Sequence, residues 1–149
     1  MSRDDGTDGE AIVEAARRWL GTPYRHQGAR RGVGCDCLGL VRGVWRELYG
    51  TDAQEPGPYR LDWRSDTQDD RLMEAAERHC GAALPPGPIK AGDLLLFRWK
   101  TNLPVRHLGI ASGGDHFIHA YERVAVVESA LVPAWRRRVA ARFAFPRIS

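Results

Sequence analysis

The sequence predicts an α+β fold, with N-terminal helices packed on a C-terminal antiparallel sheet. Three observations carry this. Up to about residue 80, apolar positions recur at helical spacing. After residue 93, short β-rich runs are broken by Gly and Pro turns. The helices precede the strands instead of alternating with them. The 149 residues fit one core, so residues 1–149 read as a single domain with 1–8 flexible.

The first helix is expected from Gly9 to Leu20, where Ile12, Ala15, Ala16, Trp19 and Leu20 share one face. Thr7 or Asp8 caps its start, and Gly21 followed by Pro23 ends it. Thr22 to Gly34 reads as a loop, with a short extended piece at Tyr24-Arg25-His26. The second helix is expected from about Asp36 to Tyr49, on the stripe Cys37, Leu40, Val41, Val44, Trp45 and Leu48. Gly50 suits its C-terminal cap. Gly39 and Gly43 each cost roughly 1 kcal/mol relative to Ala, which predicts close approach of a neighbouring element.

Residues 51–66 read as a long loop carrying Pro56, Pro58, Tyr59 and Trp63, a length suited to a cleft wall. A third helix from Thr67 to Cys80 places Leu72, Ala75, Ala76 and His79 on one face. Pro85-Pro86-Gly87-Pro88 closes this half of the chain. Strands follow at Asp93–Trp99, His107–Ser112, His116–Tyr121, Val124–Glu128 and Val139–Phe145, with Gly113-Gly114-Asp115 as a tight hairpin turn.

Composition excludes several classes. The hydrophobic (43%) and charged (28%) fractions are those of an ordinary globular chain. No run approaches the roughly 20 apolar residues that span a bilayer, so no membrane insertion is expected. The polar start Met1-Ser2-Arg3-Asp4-Asp5-Gly6 lacks the apolar core of a secretory leader, which predicts a protein made in the cytoplasm without a signal peptide. The net charge of +3 is mild, but Arg136, Arg137, Arg138, Arg142 and Arg147 crowd the C-terminal end. They read as a solvated face or as a surface for an anionic partner. No nucleic-acid module is visible. Three cysteines without a leader argue against a disulfide framework, and Cys80 reads as a buried, inert thiol.

Chemistry concentrates at Cys37, in the run Gly32-Val33-Gly34-Cys35-Asp36-Cys37-Leu38-Gly39-Leu40-Val41. A Gly-rich approach and a helix start place the thiol where backbone N–H groups are unpaired and the macrodipole is positive. That position favours the nucleophilic thiolate. Two other readings stand beside it: a buried structural thiol, and a zinc ligand with Cys35, His107 and His119. The one-residue cysteine spacing, with no second pair, departs from the usual zinc pattern. His107 at a strand start is the candidate base, and His119 on a neighbouring strand is the candidate for orienting it. Tyr24 is a candidate cleft residue and oxyanion donor. His26 and His79 show no partner in the sequence, and Asp115 and His116 read as solvated turn residues.

Several runs together resemble the NlpC/P60 cysteine peptidases. They are Gly21-Thr22-Pro23-Tyr24, Asp36-Cys37-Leu38-Gly39-Leu40-Val41, Ala91-Gly92-Asp93-Leu94-Leu95-Leu96-Phe97, His107-Leu108-Gly109-Ile110 and Phe117-Ile118-His119-Ala120. The resemblance implies a papain-like α+β fold and hydrolysis of peptidoglycan stem peptides, usually between D-glutamate and diaminopimelate. It implies Cys37 as nucleophile, His107 as base, His119 as orienting residue and Tyr24 as cleft tyrosine, with no cofactor and no metal. Leu38 departs from the serine usual in the family.

Tyr59-Arg60-Leu61-Asp62-Trp63, together with Trp135-Arg136-Arg137-Arg138 and Phe145-Pro146, is similar to the short peptidases of phage tails and gene transfer agents. That implies partners in a tail hub or tip, residence in a particle tail, and action in the target cell wall or periplasm during DNA delivery. The competing expectation is a structural tail-hub component that keeps the fold with little or no hydrolytic activity.

Overall fold

The computed structural model describes residues 5–51 and 70–148. Its elements, in order, are α1 (Asp5–Arg17), β1 (Ala29–Arg30), β2 (Gly34–Cys35), α2 (Cys37–Tyr49), α3 (Arg71–Cys80), β3 (Leu94–Phe97), β4 (His107–Gly113), β5 (His116–Ala120), β6 (Val126–Ala130), α4 (Pro133–Arg136) and β7 (Val139–Phe143). β3 to β7 form one antiparallel sheet in the order β6-β5-β4-β3-β7. The α+β expectation holds.

Asp36 starts the central helix. Its backbone is extended, and its carboxylate accepts from the Gly39 N–H at 2.8 Å. A cap of this kind contributes about 1 kcal/mol. At the other end Gly50 takes φ 78°, a left-handed conformation, and its N–H bonds to the Arg46 carbonyl. The two mid-helix glycines have the predicted role. A Cβ at Gly39 would stand 1.7 Å from the Gly28 carbonyl oxygen, and one at Gly43 would stand 1.9 Å from the Trp19 ring. The loss of helix propensity is offset by packing α2 directly onto α1 and onto the loop before it.

The sheet is covered on both faces. On the helix side, Ile12, Ala16, Trp19, Leu40 and Val44 pack on Leu94, Leu96, Leu108, Ile110 and Ile118. On the other side, Leu95, Phe97, Ala111, Phe117 and Leu131 form a second buried group with Trp135. This explains the unbroken run Leu94-Leu95-Leu96-Phe97, all buried: a strand with two covered faces does not alternate.

Several boundaries differ from expectation. α1 begins at Asp5, four residues before Gly9, so residues 5–8 belong to the helix; it ends at Arg17. Gly9 lies inside it because a Cβ there would meet the Ala91 carbonyl oxygen at 2.7 Å. α3 starts after Asp70, whose carboxylate accepts from the Val105 N–H at 3.1 Å and makes no cap bond. The fourth expected strand is displaced to Val126–Ala130, because Val124 and Ala125 close the turn back to Tyr121. The short strands β1 and β2 and the single turn α4 were not foreseen. The extended piece expected at Tyr24-Arg25-His26 is shifted: Pro23 and Tyr24 form isolated bridges to Ala125 and Cys35, and His26 lies in a turn. The loop expected at 51–66 and the proposed helix start at Thr67 lie outside the described residues, apart from Thr51. No described helix is long and apolar enough to cross a membrane.

Candidate active site

Four elements meet at the site: the loop holding Tyr24, the first turn of α2, the start of β4, and β5. Asp36 fixes the loop to the helix. It is fully buried, and its two carboxylate oxygens accept from the Gly39 N–H and, at 2.7 Å, from the Gln27 N–H. Gln27 takes φ 63° to reach it. His26, which showed no partner in the sequence, has its Nδ1 3.9 Å from the same carboxylate.

Cys37 follows directly and is 2% exposed. The backbone N–H groups of Leu108 and Leu38 face its sulfur and favour the thiolate. Burial outweighs them, and the negative Asp36 adds to burial, so the thiol is pushed well above its ordinary range. This corrects the expectation of a thiolate at rest. A helix N-terminus contributes only a few tenths to about 1 kcal/mol, and desolvation of a buried thiolate exceeds that.

His107 lies next to Leu108 and its ring is buried. Its Nε2 stands 2.8 Å from His119 Nδ1. His119, fully buried, places its Nε2 2.9 Å from Ser129 Oγ. Burial first, and then the neighbouring His119, hold His107 down at about 3, and burial holds His119 at about 4. Both are neutral imidazoles at pH 7. The fold therefore brings the two predicted histidines into direct contact, and sets Cys37 against the residue beside His107. The groups that bond the thiol are the two backbone N–H groups, not the His107 ring. Such contacts are often long in a resting site and tighten with substrate.

Aromatic rings enclose the pair. Trp99 stacks on His107 with centroids 5.8 Å apart, Trp135 lies 5.7 Å away, and Phe97 lies 5.6 Å away. Phe117 stacks on His119 at 4.2 Å and Tyr121 at 5.6 Å. Gly109 makes room for this cluster, since a Cβ there would stand 2.9 Å from the Phe117 ring. Tyr24 is half-buried. Burial raises its phenol above its ordinary range, and the nearby Cys37 adds to that, so it stays a protonated donor.

Sequence reasoning did not single out Trp99 or Ser129. Ser129 pairs with Phe117, one diagonal step from His119, which pairs with Val127. Only the β5–β6 register reveals that step. Cys35 separates from the chemistry: it sits in β2, is fully buried, and burial, with Asp36 adding, pushes its thiol up to about 12. Cys80 is half-buried and pushed up to about 11 by burial. Among the described residues, no three His, Cys, Asp or Glu side chains converge as metal ligands, so the zinc reading gains no support. His79 also has a partner after all, packing edge-on against Trp45 at 5.7 Å.

A family model described as the NlpC/P60 family matches residues 21–142. The chain is 29% identical over 128 residues to the murein DD-endopeptidase MepS/murein LD-carboxypeptidase of Escherichia coli (strain K12), covering 85% of this chain and 57% of that protein. It is 33% identical over 121 residues to the probable endopeptidase NlpC of the same strain, covering 80% of this chain and 66% of that one. It thus spans less than two thirds of the length of these relatives. Among solved structures, the NlpC/p60 domain of the peptidoglycan hydrolase SagA aligns with TM-score 0.62 at 26% identity, over 92% of this chain and 98% of that one. The peptidoglycan hydrolase RipB of Mycobacterium tuberculosis aligns with TM-score 0.61 at 20% identity, over 99% and 68%, and shows the shared fold.

Proposed function

The chain belongs to the NlpC/P60 family, and from that premise we propose that it is a cysteine endopeptidase of peptidoglycan stem peptides, cutting the D-glutamate–diaminopimelate bond. The observation that carries this reading is the His107–His119 pair at 2.8 Å with the Cys37 sulfur on the N–H of Leu108. In this mechanism Cys37 Sγ attacks the amide carbonyl while its proton passes to the free Nδ1 of His107. The imidazolium then donates from Nε2 to His119 Nδ1, which requires His119 to carry its proton on Nε2, facing Ser129. The Tyr24 hydroxyl donates to the oxyanion. The C–N bond breaks as His107 returns its proton to the leaving amine, and water hydrolyses the thioester. Neutral resting partners suit this sequence, since the ion pair forms only as the proton moves.

The test is digestion of purified peptidoglycan, with mass spectrometry of the released fragments to assign the bond. Wild-type protein is expected to release them, and Cys37→Ala and His107→Ala proteins are not. Activity in either variant would sink the mechanism.

We place the enzyme in a phage-like tail, acting in the target wall while DNA is delivered. The support is the similarity of residues 59–63, 135–138 and 145–146 to tail peptidases. Immunodetection of the chain in purified particles, at fixed stoichiometry, is the expected result; its absence from particles overturns this placement. One observation favours the second reading, a structural tail component: Cys37 is only 2% exposed. Full incorporation into particles together with no turnover by wild-type protein would select that reading.

A further inference from the structure

Next to the site, the end of β3 and the start of β7 border an open cleft of about 650 Å³ that the mechanism above does not use. Its wall holds Arg98, Trp99, Lys100, Arg137 and Arg138, and no acidic residue lines it. Among the described residues none of these four cations is paired with a carboxylate, whereas neighbouring Arg136 is paired with Asp115. Arg98 donates from Nη1 to the Thr101 carbonyl, and its buried Nε has no hydrogen-bond partner. The Arg138 guanidinium is held 5.3 Å from the centre of the Trp99 ring and 5.9 Å from that of Trp135. Both rings pack on His107. The cleft and the proposed base therefore share a wall one ring thick.

Four unneutralised cations in a concave site repel one another, and an anion relieves both that repulsion and the unpartnered Arg98 N–H. A guanidinium presents a planar fork that matches a carboxylate in two bonds. On the hydrolase reading, the acidic stem peptide carries a carboxylate one residue from the cut bond, about 4–7 Å away along the chain. We propose that the cleft is a subsite for the free carboxylates of the acidic stem peptide, and that it makes the enzyme select unamidated over amidated stems. This rests on the hydrolase reading for its biological use, but not for its binding.

The test uses the Cys37→Ala protein, which holds substrate without cutting it. The tripeptide L-Ala-γ-D-Glu-diaminopimelate and its fully amidated form are titrated, following the indole N–H signals of Trp99 and Trp135. The acid is expected to shift both signals and to bind about tenfold more tightly than the amide. In Arg98→Gln/Arg138→Gln that preference shrinks to about twofold. The exposed pair Lys100→Gln/Arg137→Gln serves as a second variant where the first disturbs folding. Equal binding of acid and amide, or a full preference retained in the folded variant, overturns the proposal. Turnover by wild-type protein separates the two readings. Cutting both peptides with equal KM sinks the subsite and leaves the hydrolase. Selective binding without any cutting leaves the subsite and sinks the hydrolase.

Discussion

His107 Nε2 and His119 Nδ1 face each other at 2.8 Å across β4 and β5, and only one proton fits between them. For His107 to accept the thiol proton on Nδ1 and stay neutral beforehand, one tautomer of each ring must be held in place. Ser129, 2.9 Å from His119 Nε2, is placed to hold it.

Replacing His119 by Ala is expected to lower kcat about 100-fold, the scale of a lost contribution to acid–base catalysis. His119→Asn keeps an acceptor toward His107 and recovers part of the loss. Steady-state rates on a stem peptide check both. Equal rates in the Ala and Asn proteins would show that the ring only fills space.

In the proposed mechanism Ser129 is a positioning residue, acting through His119. Ser129→Ala removes one hydrogen bond, worth about 1 kcal/mol, so kcat falls about fivefold while KM holds. Ser129→Thr restores the hydroxyl and most of the rate. An unchanged pH profile and rate in Ser129→Ala would remove it from the relay.

Stability is expected to peak near neutral pH. Unfolded imidazoles titrate near 6.5, whereas the fold holds His107 at about 3 and His119 at about 4. Below about pH 6.5 the unfolded chain binds more protons, so stability falls as pH falls. Cys37 acts at the other end. Its unfolded thiol ionises near 8.5, but in the fold burial keeps it protonated. Above about pH 8.5 the folded chain holds more protons, and stability falls as pH rises. Denaturant midpoints across this range check the shape, and His119→Asn should flatten the acid side.

Asp36 couples loop geometry to thiol chemistry. Asp36→Asn removes the charge that raises Cys37 and turns one acceptor into a donor against the Gln27 N–H. The expected result is a lower thiol pKa, read as faster alkylation at fixed pH, with a stability loss of about 1–3 kcal/mol. Slower alkylation in a folded variant would contradict the assigned sign.

Gly43→Ala forces a methyl 1.9 Å from the Trp19 ring. Overpacking of this kind costs about 1–3 kcal/mol, more than the helix propensity gained. Thermal unfolding is expected to show a net loss of stability.

Much of this site is legible in the sequence because it rests on local rules. The stripe through α2, its Asp36 cap and its Gly50 stop follow from spacing and residue type. The cost of Gly39 and Gly43 correctly signals crowding, although not by which groups. The β4–β5 hairpin follows from Gly113-Gly114-Asp115, all three with positive φ, and it brings the two histidine strands together. α4 escapes because a single turn has no periodicity to detect. The start of α1 escapes because Gly6, Asp8 and Gly9 disfavour a helix that tertiary contact with Ala91 nonetheless accommodates.

The sequence by itself singled out the candidate residues: a thiol at a helix start, two histidines on adjoining strands, and a tyrosine in the preceding loop. Only the tertiary structure decided their state. Burial, which no local pattern encodes, keeps the Cys37 thiol protonated and both imidazoles neutral, reversing what the helix start alone favours. Register, which depends on how strands pair, selects Ser129 as the partner of His119. Desolvation and strand pairing sum over residues far apart in the chain, and these two sums set the resting state of Cys37, His107 and His119.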